Sequence, residues 1–289
     1  MTSISLVQGP LRLIVDPNHG GVIRRFTLSA ESGAPVELMR PMPEGSTDPL
    51  ESACFPLVPF SNRIGFARFR FDHRDIEMTP NFRPEPHFIH GHGWDTRWDV
   101  ISAAADRCTI GFRHPGGEWP WAYLATQDFL LTGTALSVRL TLTNLDARPM
   151  PAGLGLHPYF PKRPGAGLSA KLDHVWINDD AKLPVERVPL HRGPAPSLET
   201  ADLDNCFGGW DGAARLHWPL RALTLNIEAD PLFGHLVIYV PSGEDHFCVE
   251  PVSNANDAFN LAARGVSDTG LRVLERHESL SGTIRFRVA

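Results

Sequence analysis

Four segments carry side chains able to move protons or hold a polar ligand. They read Phe88-Ile89-His90-Gly91-His92-Gly93-Trp94, Leu156-His157-Pro158-Tyr159-Phe160, Phe247-Cys248-Val249-Glu250-Pro251 and Pro59-Phe60-Ser61-Asn62-Arg63-Ile64. A carboxyl held among apolar residues titrates nearer neutrality than one in water, and so becomes a base or an acid. Glu250 fits that description. Alternation places Cys248 and Glu250 on one strand face with Phe247 and Val249 on the other, and Pro251, which lacks a donor, is expected to end the strand. An edge-strand charge in water is the plainer alternative.

His157 precedes a proline, which forces its backbone to be extended. Its Leu, Tyr and Phe neighbours suit a pocket in which an imidazole exchanges a proton near neutrality. They equally suit a core histidine bonded to a carbonyl. His90 and His92 would share one face of a strand, as in cupin metal sites, but such a site needs a glutamate at position 96, where Thr96 stands. No second ligand set follows, so no metal is expected. Gly91 and Gly93 point instead to close backbone approach to a ligand or a tight bend. Trp94 and Trp98 offer flat faces on which sugars stack, or they fill the core. Arg63, beside Asn62 and between Phe60 and Ile64, needs a buried acceptor: a ligand oxygen or an internal carboxylate. Asp204 in Asp204-Asn205-Cys206-Phe207 either accepts from ligand hydroxyls or caps a turn.

The elements that must position these groups are strands. Leu136, Val138, Leu140 and Leu142 alternate with polar residues, as do Leu223, Leu225 and Ile227, then Ile284, Phe286 and Val288, and finally Phe69 and Phe71. With 25 Gly and 26 Pro residues spread throughout, long helices have little room. A short helix is expected over 256–263, capped by Asn256 or Asp257. The Pro/Gly-rich stretches 40–49 and 184–197 read as surface loops. An all-β chain forming one large antiparallel β-sandwich domain over residues 1–289, with few short helices, is the expected fold.

Composition narrows the function. Net charge is −6, and no basic block exceeds two residues, which argues against nucleic-acid binding. Four cysteines without a Cys-x-x-Cys pair read as buried thiols of a reducing compartment. The N-terminus lacks a basic, then apolar, leader, and no apolar run is long enough for a membrane span, so the cytoplasm is the expected location. Neither a Gly-x-Ser-x-Gly elbow nor a phosphate or dinucleotide loop is present.

Taken in order, the segments resemble the aldose 1-epimerase (galactose mutarotase) family, from about residue 20 onward. Asn62-Arg63-Ile64 is similar to its Asn-Arg-Ile segment, Ile89-His90-Gly91 to its Leu-His-Gly, and Leu156-His157-Pro158-Tyr159-Phe160 to the segment of its catalytic acid. Asp204 matches its hydroxyl-binding aspartate, and Val249-Glu250-Pro251 followed by Asn256-Asp257-Ala258 matches the segment of its base. The resemblance implies a galactose-mutarotase-like supersandwich and an isomerase acting on a monosaccharide without a cofactor. Glu250, His157 and His90 would then be catalytic, with Arg63, Asp204, Asn62 and Trp94 on the substrate. His92 and Ala67 stand where the family favours glycine; both are expected beside the pocket, where they would bear on which sugar is used. A non-catalytic sugar-binding sandwich is the alternative. So is a hexose 6-phosphate mutarotase with Arg83 or Arg97 as its cationic subsite. Oligomeric state is not legible.

Overall fold

The computed structural model describes residues 3–30, 33–190, 198–199 and 201–289. Alternation does what it should: Leu136, Val138, Leu140 and Leu142 are buried along strand Ala135–Asn144. That strand pairs antiparallel with Ser279–Val288, which pairs in turn with Leu223–Ala229, at the centre of an eight-stranded sheet. Phe69 lies on a separate hairpin, Arg68–Phe71 with Arg74–Glu77. An eleven-stranded antiparallel sheet packs over the eight-stranded one, giving the large β-sandwich expected.

Five strands of the larger sheet matter for chemistry: β1 (Cys54–Leu57), β2 (Gly155–Pro161), β3 (Leu203–Gly208), β4 (His235–Val240) and β5 (His246–Val252). They lie side by side in the order β1-β2-β5-β4-β3. Since side chains alternate between faces, Leu156, Phe160, Leu236, Ile238, Phe247 and Val249 enter the inter-sheet core. The opposite face carries Phe55, Tyr159, Cys206, Val237 and Cys248 in a second apolar cluster. This face is roofed by connecting segments, so β5 is buried on both sides. Glu250 is therefore far from an edge. Pro251 does not end the strand either; β5 continues to Val252, and Pro251 pairs with Leu236 of β4.

The roof is irregular backbone held by side-chain amides and a carboxylate. The N–H groups of Ser61, Arg63 and Gly65 donate to Asn254 Oδ1 (3.1 Å), Asn256 Oδ1 (3.2 Å) and Asp257 Oδ1 (2.9 Å). Buried loop backbone must find such partners. Asp257 occupies the N-cap position of the expected helix, Ala258–Ala263, but its side chain makes no capping bond; Gly65 and Asn260 use it instead. Among the described residues this is the single α-helix. The stretch 40–48 is a loop, as expected, and Pro49 opens a 3-10 turn, Pro49–Glu51. The other expected loop is partly strand: Pro184–Pro189 pairs with His174–Asn178, while 191–197 lie outside the described residues. Period two is short there, and its prolines read as loop punctuation.

Candidate active site

Register brings the two main titratable groups together. Gly155 pairs with Val252 and Tyr159 with Cys248, a constant offset that sets His157 of β2 opposite Glu250 of β5. The next strands add Val237 and then Cys206 to one side and Phe55 to the other, all on the roofed face. No pairing spans 156–158 and 249–251, where Pro158 and Pro251 supply no N–H. His157 Nε2 ends 3.3 Å from Glu250 Oε1. Both side chains are buried at the floor of a cavity of about 320 Å³.

Burial pushes the Glu250 carboxyl well above the ordinary carboxylate range, with the negative charge of Asp204 adding to the effect. Burial likewise takes His157 down to about 3, helped by the positive charges of Arg40 and His246. Neither group is easily ionised alone, and at 3.3 Å a single proton can pass between them.

His90 enters from the roof. It lies in a left-handed conformation (φ 62°), and its Nδ1 accepts from the Asn62 N–H at 3.1 Å. That bond leaves the proton of the neutral ring on Nε2. Desolvation holds His90 well below the ordinary imidazole value, so it stays neutral. Its ring meets His157 edge-on, centroids 5.4 Å apart. Gly91 and Gly93 make this possible by close backbone approach, though to protein rather than ligand. A Cβ on Gly91 would stand 2.4 Å from Pro59 Cδ and Val58 O, and one on Gly93 2.4 Å from Val58 Cγ1.

Arg63 is buried and turns to internal carboxylates. Nε and Nη2 donate to Glu85 (2.9 and 3.1 Å), Nη2 also reaches Asp204 Oδ2 at 3.3 Å, and Nη1 donates to Asn62 Oδ1 at 3.2 Å. Asn62, Arg63, Asp204 and Trp94 all line the cavity. The Trp94 indole N–H is spent on the Gly91 carbonyl (3.2 Å), leaving its ring as wall. Trp98 is not there; it lies in the inter-sheet core against Phe112. His92 stacks on His114, outside the cavity lining, and Ala67 is absent from the lining as well. Ala67 does adopt φ 53°, the region glycine favours, so that difference bears on backbone rather than on sugar choice. Arg83 and Arg97 are exposed and do not line the cavity.

Sequence reasoning missed Glu85, Lys182, Tyr239, Arg40 and His246, all in the lining. Each sits in a stretch whose local pattern matches a surface loop or plain strand. Tyr239 lies opposite Asp204 across β3 and β4, a pairing that only the register reveals.

The donor set also bears on metals. His157, Cys248 and Glu250 offer ligand atoms within 4.8 Å of one another. Cys248 is fully buried, however, and does not line the cavity, so it presents no ligand atom to anything bound there. The set is better suited to proton transfer.

Comparison with known proteins identifies the family. The aldose 1-epimerase family model matches residues 3–287. The chain belongs to that family. It is 33% identical over 270 residues to YphB of Escherichia coli K12, an uncharacterised protein, covering 89% of this chain and 90% of that one. A crystal structure from Escherichia coli K12, provisionally described as an aldose 1-epimerase, superposes with a TM-score of 0.88 at 31% identity, covering 100% of this chain and 99% of the other. A galactose mutarotase-like protein from Clostridium acetobutylicum shares the fold, with a TM-score of 0.86 at 18% identity over 99% and 95% of the two chains.

Proposed function

We propose that the protein is a mutarotase that interconverts the α and β anomers of an aldose, with Glu250, His157 and His90 as its catalytic groups. The observation that carries this reading is the Glu250–His157 contact of 3.3 Å at the floor of a roofed cavity. Mutarotation needs one proton removed from the C1 hydroxyl and one delivered to the ring oxygen. A pair sharing one proton supplies both.

In the cyclic complex Glu250 is the carboxylate and His157 the imidazolium. Ring opening moves the hydroxyl proton to Glu250 as the proton of His157 passes to the ring oxygen, with His90 Nε2–H as a further donor there. The C1–O5 bond breaks and an aldehyde forms. The pair is then neutral, the state that burial favours. Rotation about C1–C2 presents the other carbonyl face, and closure returns both protons. Arg63, Asp204 and Asn62 hold the hydroxyls, and Trp94 bounds the ring.

Glu250→Gln is expected to lose at least about 10²-fold in kcat, the scale of one positioned acid–base group. Polarimetry of a freshly dissolved α-sugar measures it, and near-normal turnover rejects the assignment. A non-catalytic sugar-binding module would use Trp94, Arg63 and Asp204 equally well. It gives no reason to bury a carboxyl against an imidazole, an arrangement that costs stability unless it is used.

A further inference from the structure

Resting on the mutarotase reading, we infer that the preferred substrate carries an anionic group on its exocyclic carbon and that Arg40 receives it. The cavity has three cationic side chains. Arg63 is neutralised by Glu85 and Asp204, and Lys182 by Glu85 at 2.7 Å. Arg40 has no carboxylate within ion-pair distance among the described residues. Its Nη2 donates to the carbonyls of Leu50 (2.6 Å) and Ser52 (3.0 Å), and Nη1 lies 3.4 Å from His246 Nδ1. Its Nε is buried and unpartnered. The guanidinium carbon sits 3.8 Å over the Tyr159 ring. A guanidinium held flat by a ring and two carbonyl dipoles, with its charge unmatched, is a preformed anion site.

Its place relative to the chemistry fits. Tyr159 stacks on His157 at 4.6 Å, and Arg40 stacks on Tyr159. In a pyranose, the carbon bearing the exocyclic group is bonded to the ring oxygen. With that oxygen at His157, the exocyclic group lies next to the Tyr159–Arg40 stack. Glu244, exposed at the rim, makes no ion pair with Arg40. The unmatched charge of Arg40 also works against protonated His157. An anion docked there cancels that field and favours the imidazolium that ring opening requires.

A matched set of one hexose, its 6-phosphate and its uronate, followed by polarimetry at fixed ionic strength, tests the inference. Wild-type kcat/KM is expected to be about tenfold or more higher for at least one anionic sugar than for the neutral one, the scale of a charged hydrogen bond. That ratio should collapse toward one in Arg40→Met and survive largely in Arg40→Lys. A wild-type ratio at or below one overturns the inference while leaving the mutarotase reading intact. No acceleration of any of the three sugars fails the mutarotase reading itself. Because Arg40 also ties down the Leu50 and Ser52 carbonyls, a second test uses the wild type alone: inorganic phosphate should compete with the sugar at constant ionic strength. Phosphate that inhibits no more than chloride overturns the inference.

Discussion

Burial, more than any neighbouring charge, sets the protonation of Glu250 and His157. His157 is held at about 3, so its second-proton state is reached only in strong acid. The sign follows directly. A depressed imidazole stays unprotonated as pH falls through 6.5, and the pair keeps its single proton. His90 and His246 are lowered as well, so no histidine lining the cavity titrates upward into the neutral range. On the mutarotase reading, kcat/KM should therefore show no acid limb near about pH 6.5, and the raised Glu250 carboxyl should bear on the alkaline side of the profile instead. A pH–rate profile measured by polarimetry checks this. An acid limb centred near 6.5 would place a normally titrating histidine in the mechanism. At this scale the sequence named the residues by type. It could not supply the 3.3 Å contact, because positions 157 and 250 are joined only by the register of β2 on β5.

The elements divide into predictable and unpredictable ones. Period-two strands such as Ala135–Asn144 were legible because one face is buried by partners and the other meets water. β5 was less so. Both of its faces are buried, and its residues taken alone also fit an edge position, a strand end at Pro251 and a charged Glu250. The roof that covers it is built from left-handed residues and close approaches, which follow no period. His90 and Gly91 are consecutive left-handed positions (φ 62° and 66°) packed on Val58–Pro59. Gly91→Ala should destabilise the fold by about 2–4 kcal/mol, since its Cβ meets backbone that cannot yield and its φ is strained. A denaturant titration measures that cost. Residual mutarotation in the folded fraction should fall too, because His90 would be displaced. An unchanged midpoint would mean that the roof tolerates what its geometry forbids.

Across the whole molecule, an ion cluster joins distant parts of the chain. Arg63 of the roof, Glu85 of the next loop, Lys182 and Asp204 of β3 meet at one wall of the cavity. Hydrogen bonds from Arg63 and Lys182, with their positive charge, outweigh desolvation and hold Glu85 down at about 2. A carboxylate depressed from 4.5 contributes stability that is complete above the unfolded value and is lost as pH falls through the folded one. Linkage puts an upper limit of about 3 kcal/mol on that contribution. Glu85→Gln should therefore unfold more easily than wild type at pH 7, with the gap narrowing between about pH 4.5 and 2. Denaturant midpoints across that range test it, and a gap independent of pH would show that Glu85 acts by packing alone.

By itself the sequence determined the sandwich and the family's ordered set of polar residues. Both are local properties: alternation depends on neighbours two apart, and each motif on a handful of contiguous residues. Tertiary structure alone decided that Arg63 is spent on Glu85 and Asp204, that Trp98 is core, and that Arg40 stands in the cavity without a counter-ion among the described residues. Charge pairing and burial depend on strands far apart in the chain, and side-chain types do not record which of them will meet.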